Sequence, residues 1–327
     1  MNNLPPDYVY CNTCGSDTPK LLFTVPETRD RGQGIVRCRA CGLVYRNIRQ
    51  NEAALSKNYE QWEAANLPLE MVSGRTNVSE AILKLMEPFR LNNRVLDVGA
   101  GHGFFLKACV DRGWDCYGVE PSRRAADYAR QNSGLNVTCG TFEAAVYPDE
   151  HFDAVTFINV LEFLPDPKKA LQKAHRLLRP GGAIAVRFSN AVFHVAAFKL
   201  FMFLGRFHKK LNRADLAVIH LYAFDKNSIT RLLFESGFTG IRVSSMPLGW
   251  QTNNRVQISG FVRKLLCQLL YLSACFLSLV SFRHLMISPS LVVIAQKDQT
   301  TGLRTEHAIS NKEFPSECPR IPLDIGC

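Results

Sequence analysis

Two spacings of apolar residues alternate along this chain. Short apolar runs of strand length sit at Arg94–Val98, Asp115–Glu120, "LNVTC", "FDAVTFI", "AIAVRFS", "GIRVSSM" and "LVVIAQK" (291–297). Between them, apolar residues recur at helical spacing, with punctuation at the ends. Phe104–Arg112 is closed by Gly113, and Ser122 caps "RRAADYARQNS", which ends at Gly134. "DPKKALQKAHRLL" runs into Pro180-Gly181-Gly182, and Lys226–Ser236 lies between Asp225 and Gly237. The alternation predicts an α/β fold with a parallel sheet and helices on both faces. Upstream, "SEAILKLMEPF" predicts a helix stopping near Pro88 within a helical connector, residues 51–90. The polar tail from Asp298, residues 298–327, lacks apolar periodicity and is expected to be disordered.

Two stretches break the rhythm. Asn190–Arg213 is apolar nearly all round and ends in the basic cluster Arg206, His208, Lys209, Lys210 and Arg213. In residues 261–287, Leu265–Phe282 carries no charge over 18 residues and is flanked by Arg263-Lys264 and Arg283-His284. That length is borderline for a membrane span. A helical hairpin, a helix lying in the membrane interface, a buried lid, a dimer interface and an added core layer all suit the pattern. The excess of 39 Lys and Arg over 29 Asp and Glu gives +10, which suits an acidic partner, a nucleic acid or an anionic membrane surface. The first residues lack a basic region followed by an apolar run, so a cytoplasmic protein is expected, peripheral on the inner face of the membrane if the insertions touch lipid.

Strand Arg94–Val98 leads into Asp97-x-Gly99-x-Gly101-x-Gly103. Dinucleotide enzymes favour G-x-G-x-x-G, whose third glycine would fall on Phe104. Glycines let backbone N–H groups approach a ligand, and the following helix start favours a negative group. Asp97 suits a ligand ammonium and repels a diphosphate. Glu120, ending the next strand, can accept both hydroxyls of a ribose. A nucleoside, an amino group and a carboxylate are together what S-adenosyl-methionine presents.

Here the chain resembles the class I S-adenosyl-methionine-dependent methyltransferases. "VLDVGAGHGFF" is similar to their first motif and "YGVEPS" to their second. "CGTFEAAVYPDEHFDAVTFINVLEFLPDPKKAL" resembles their adenine-side loop and fourth strand, and "LLRPGGAIAVRFSN" the approach to and length of their fifth. The resemblance implies a Rossmann-like sheet over residues 91–297, mostly parallel with the last strand antiparallel. A single membrane crossing between the last two strands would tear that sheet apart. It also implies that Asp97, Gly99, Gly101 and Gly103 line the methionine end, Glu120 holds the ribose, Thr141 and Phe142 flank the adenine, and Asn159 and Val160 approach from the fourth strand. Relatives often have Leu-Glu-His after that strand, where this chain has Leu161-Glu162-Phe163. If that histidine moves protons in them, this chain uses another base or needs none.

The chain has 11 cysteines, and four stand in the pairs Cys11-x-x-Cys14 and Cys38-x-x-Cys41, each followed by glycine. Four thiolates on two tight turns make a closed tetrahedral zinc site of the structural kind, a zinc ribbon within residues 1–50. "IVRCRACGLVYRNIRQNEAALSKNY" resembles the zinc-ribbon leader of bacterial methyltransferases that modify sugars and cell-surface glycans. Some ribosomal RNA methyltransferases also carry an amino-terminal zinc site.

Methyl transfer draws its reactive carbon from the cofactor, so the protein chiefly aligns the acceptor. An oxygen nucleophile also needs a base. "IHLYAFD" places His220 and Tyr222 before the helix capped by Asp225, on the acceptor side, and His220 is the leading base candidate, ahead of His194 and Glu162. The expected activity is methyl transfer to a small or lipid-linked acceptor, a sugar or cell-surface glycan precursor, with peripheral membrane contact through 190–213 and 261–287. RNA methylation, quinone-ring methylation and a non-catalytic binding scaffold are the alternatives; the sequence leaves the oligomeric state open.

Overall fold

The computed structural model describes residues 6–24, 34–50, 72–205, 220–246, 286 and 288–299. The amino-terminal part holds short strands β1 (Pro6–Tyr8), β2 (Pro19–Thr24), β3 (Gly34–Cys38), β4 (Val44–Arg46) and β5 (Ile48–Gln50). β2, β3 and β4 pair antiparallel, and β1 pairs antiparallel with β5. Helix α1 (Val72–Met86) follows and tightens into a 3-10 turn, Glu87–Phe89, at Pro88.

Strands and helices then alternate: β6 (Arg94–Val98), α2 (Phe104–Val110), β7 (Asp115–Glu120), α3 (Arg123–Ser133), β8 (Asn136–Cys139), β9 (Phe152–Ile158), α4 (Pro167–Leu177) and β10 (Leu178–Ser189). Helix α5 (Ala191–Gly205), strand β11 (Tyr222–Ala223), helix α6 (Lys226–Glu235), β12 (Thr239–Met246) and β13 (Ser290–Gln296) complete the described elements. Local chemistry sets several ends. The Ser122 hydroxyl accepts from Ala125 N, Asp166 accepts from Lys169 N, and Asp225 exchanges hydrogen bonds with Ser228 in a capping box. Gly134 ends α3 at φ 61°, left-handed backbone that glycine adopts freely.

Seven strands form one sheet in the order β12-β13-β10-β9-β6-β7-β8. β10, β9, β6, β7 and β8 are parallel, and β13 runs antiparallel to both β10 and β12, as the resemblance implies. Neighbouring residues of β6 face opposite layers. Val95 packs with Ile82 of α1 and Leu106 of α2, whereas Leu96 and Val98 join Leu171 of α4 and Leu232 of α6. The chain winds outward one way through β7 and β8 and the other way through β9 and β10. The switch lies between β6 and β9, where ligands enter such sheets. One boundary differs from expectation: β10 begins at Leu178, before Pro180-Gly181-Gly182, and absorbs them in a register shift ahead of Ala183.

The cysteine part does not sit apart from this sheet. β11 pairs antiparallel with β4, Tyr222 against Tyr45 and Ala223 against Val44, so the amino-terminal sheet reads β11-β4-β3-β2. Cys11, Val36, Cys38, Leu43 and Tyr45 belong to the same buried cluster as Leu161, Phe188 and Phe224. The first apolar insertion takes part: Ala191 and Val195 of α5 pack on Ile35 and Val44, and Phe198 stacks on Phe23 at 4.1 Å. The rest of that insertion from residue 206, residues 261–285 of the second, the connector before residue 72 and the tail from residue 300 lie outside the described residues. No helix among the described residues is long and apolar enough to cross a membrane.

The amino-terminal edge of the sheet is tied by one carboxylate. Asp153, fully buried at the start of β9, accepts from Leu91 N, Asn92 N and Arg94 N at 3.0, 2.6 and 3.3 Å, and from Arg179 Nε at 2.5 Å. Burial opposes ionisation, but Arg179 and these N–H donors outweigh it and hold the carboxyl below its usual range. Asp153→Ala should cost about 3–5 kcal/mol in urea unfolding at pH 7, the usual loss on breaking a buried pair. A depressed native pKa gives stability present above the unfolded value and lost as pH falls through the folded one. The gap between wild type and variant should therefore close only below about pH 4.

Candidate active site

Asp97 lies near the end of β6, buried, and accepts a hydrogen bond from Thr156 Oγ1 of β9 at 2.5 Å. Burial raises its carboxyl to about 7, with Thr156 opposing and the Glu120 charge adding. After it the chain turns through Gly99, Gly101 and Gly103 at φ 73°, 53° and 79°. The first and last are also sites of close approach. A Cβ on Gly99 would meet Val160 Cγ2 at 2.4 Å, and one on Gly103 would meet Leu135 Cδ1 at 2.4 Å.

Glu120, buried at the end of β7, spans the two loops. Its Oε2 accepts from Gly101 N at 2.8 Å and its Oε1 from Ser122 N at 2.9 Å. The glycine turn and the carboxylate expected to hold the ribose are thus joined directly. Thr141 is exposed and accepts from Ala144 N, starting the turn after β8. Phe142 points into the core, edge-on to Phe157 at 5.6 Å, with the Lys173 ammonium 4.8 Å from its ring centre. At this place the backbone, more than the phenyl ring, is what a nucleobase would meet. Val160 leans on Gly99 as described. Asn159, at φ 56°, turns the chain sharply off β9 and accepts from Arg187 Nη1 at 2.5 Å. Asp97, the three glycines, Glu120, Asn159 and Val160 therefore gather at the carboxyl ends of β6, β7 and β9.

His220 and Tyr222 stand at the adjoining edge, where Arg46 Nε donates to His220 O at 2.9 Å. The His220 ring lies on Phe163 at 3.8 Å. Burial, with the Arg46 and His194 charges adding, lowers its pKa to about 3, which makes it a weak base. Tyr222 is buried, and its hydroxyl donates to Pro165 O at 2.9 Å, tying down the loop before α4. Residues the sequence reading passed over also shape this edge. Arg187 interrupts an apolar strand, a signal that could have marked it. Asn12 bonds Asp166 and Lys168 N at the start of α4, which no local pattern indicates.

The four cysteines converge. All the Sγ atoms lie within 4.8 Å of one another, with Cys11 to Cys41 at 3.3 Å and Cys14 to Cys38 at 3.6 Å. A tetrahedron of thiolates around zinc at 2.3 Å has edges of about 3.8 Å, so the set fits that ion. Gly15 N and Gly42 N bond back to Cys11 O and Cys38 O, closing two matching turns at φ 70° and 82°. Burial opposes ionisation of Cys38, but the N–H groups of Cys41 and Ala40 and the neighbouring thiols outweigh it and bring the thiol down to about 7.

Comparison with known proteins places the domain. A ubiquinone biosynthesis O-methyltransferase of Azoarcus sp. (strain BH72) is 33% identical over 112 residues, 32% of this chain and 48% of that protein. The Pseudomonas aeruginosa (strain UCBPP-PA14) protein of the same name is 33% identical over 97 residues, 28% of this chain and 42% of that one. The chain spans about half the length of the curated relatives it matches. A solved complex between the Haloferax volcanii Trm112 methyltransferase activator and a methyltransferase aligns with TM-score 0.51 and 13% identity, covering 76% of this chain and 100% of that one, a likeness of fold. Residues 73–243 match the family model described as a methyltransferase domain, and the chain belongs to that family, its domain being of the class I, S-adenosyl-methionine-dependent kind.

Proposed function

We propose that the chain transfers a methyl group from S-adenosyl-methionine to a small or lipid-linked acceptor. The observation that carries this reading is the junction of Asp97, the three left-handed glycines and Glu120 at the switch point of the sheet. In it, Glu120 exchanges a backbone partner for the ribose hydroxyls, Asp97 meets the ammonium, and the N–H groups of the glycine turn face the carboxylate. The bound donor supplies an electrophilic methyl group on a sulfonium. The protein holds it against the edge formed by the turn after β9 and the segment 220–222, and excludes water there. The relatives' names favour a ring hydroxyl as acceptor; the cysteine leader favours a sugar or glycan precursor. Residues 190–213 and 261–287, with their basic flanks, suit a lipid-linked form of either at a membrane surface. Zinc on Cys11, Cys14, Cys38 and Cys41 is proposed as structural, since four thiolates leave no open position for chemistry.

Titration calorimetry tests the cofactor first. S-adenosyl-methionine should bind, and Glu120→Gln should weaken it roughly 10- to 100-fold, the loss expected for hydrogen bonds to a charged group. Tighter binding of NAD than of the methyl donor would refute the reading.

Asp97 adds a pH signature. With its pKa raised to about 7, the free protein holds this carboxyl neutral below that pH and charged above it. A ligand ammonium prefers the charged form, so donor affinity should climb as pH rises through about 7, and the climb should flatten in Asp97→Asn. An unchanged slope in the variant would remove Asp97 from the ammonium site.

For the metal, purified protein should contain one zinc per chain, and Cys14→Ser should lower that content together with the unfolding temperature. Metal-free protein of unaltered stability would rule the site out.

A further inference from the structure

The turn after β9 carries a carboxylate that the fold only half uses. Glu162 is 2% exposed. Its Oε1 accepts from Ser189 N at 3.2 Å, while its Oε2 has no hydrogen-bond partner among the described residues. On β10, Arg187 is 6% exposed; Nη1 is engaged by Asn159, and Nε has no hydrogen-bond partner among the described residues. A buried polar group left open is costly, and a catalytic role or a bound group is among the explanations for one. These two are of opposite sense, one acceptor and one donor, and each feels the other's charge.

Their position is as informative as their chemistry. Arg187 sits near the carboxyl end of β10 and Glu162 in the turn leaving the carboxyl end of β9, the edge at which such sheets bind ligands. In the same turn Val160 lies over Gly99. The open pair is therefore one to two strand spacings, about 5 Å each, from the turn assigned to the methyl donor. A ligand group that satisfies both atoms must donate one hydrogen bond and accept another. An ammonium only donates and is repelled by Arg187; a carboxylate only accepts and is repelled by Glu162. A hydroxyl does both.

We propose that Glu162 and Arg187 form the binding site of the acceptor's hydroxyl, with Glu162 Oε2 as the base that takes its proton during methyl transfer. This rests on the methyltransferase reading above and deepens it to oxygen methylation. Arg187 Nε donates to the acceptor oxygen and orients it. As that oxygen attacks, the O–H bond breaks and its proton passes to Glu162, while an oxygen electron pair forms the new bond to the methyl carbon. The carbon–sulfur bond breaks with its pair going to sulfur, and the sulfonium becomes a neutral thioether. The charges suit the role. Burial raises the Glu162 carboxyl to about 7, against the opposing pull of backbone N–H donors, Arg187 and the Ser189 hydroxyl, so the base is near half ionised at neutral pH.

Wild type and Glu162→Gln, as full chains, provide the test. Calorimetry with S-adenosyl-methionine establishes donor binding in both. Turnover is followed with labelled donor and two hydroxyl probes, 3,4-dihydroxybenzoate for a ring hydroxyl and uridine diphosphate glucose for a sugar hydroxyl. Thermal unfolding is read at pH 6 and pH 8. The wild type should methylate one of the probes, with kcat/KM rising through about pH 7. Glu162→Gln should bind donor within twofold of wild type and lose at least 100-fold in kcat, with acceptor KM within a few-fold and the pH rise absent. A carboxyl whose folded pKa exceeds its unfolded value gives stability below the unfolded value and loses it as pH rises through the folded one. The variant should therefore melt at or above the wild-type temperature at pH 8, where a structural partner would leave it less stable. Retention of more than a tenth of kcat, a lower melting temperature at pH 8, or a wild type that binds donor and methylates neither probe would each overturn the proposal. A wild type that fails to bind the donor would instead overturn the methyltransferase reading.

Discussion

The antiparallel pairing of Tyr222 and Ala223 with Tyr45 and Val44 decides what the proposed acceptor edge is made of. A two-residue strand is too short to hold itself. It is fixed because its neighbours are tied as well: Arg46 N and Nε to the carbonyls of Leu221 and His220, Leu221 N to Glu162 O, and Tyr222 Oη to Pro165 O. Through these bonds the cysteine turns, the segment carrying His220 and the turn after β9 become one piece of structure. The amino-terminal strands are thus part of the wall beside the proposed methyl donor rather than an appended tag.

The turn proposed to hold the donor was readable from the sequence because its determinants are local. Asp97, Gly99, Gly101 and Gly103 fall within one strand and one turn, and each glycine marks a backbone φ or a close contact that another residue would strain. Cap and stop residues such as Ser122, Gly134, Asp166 and Asp225 likewise act within a few positions. The cysteines were readable for a related reason, since two C-x-x-C turns with glycine after each constrain the sulfurs wherever the turns meet.

What the sequence left open depends on residues far apart in the chain. Phe142 turns inward because Phe157 and Lys173, on other elements, complete its pocket. His220 loses basicity because folding buries it and sets the Arg46 and His194 charges near it. Tyr222, a candidate from its neighbourhood in sequence, spends its hydroxyl on Pro165. Glu162 was visible as the glutamate kept in a known triplet whose histidine is replaced by Phe163, and Arg187 carried a readable signal as a charge inside an apolar strand, but only folding brings each under the influence of the other's charge.

The distance between β4 and β11 along the chain has a consequence in time. Arg46 and His220 are 174 positions apart. At the usual 5–20 residues per second of synthesis, the amino-terminal sheet waits roughly 10–35 s for its fourth strand after its third has been made. During that interval the edge of β4 is an unpaired template of the kind that invites association with other chains. The cysteine turns are complete throughout, so metal capture on the ribosome can precede sheet closure and would give the nascent segment a fixed shape while it waits.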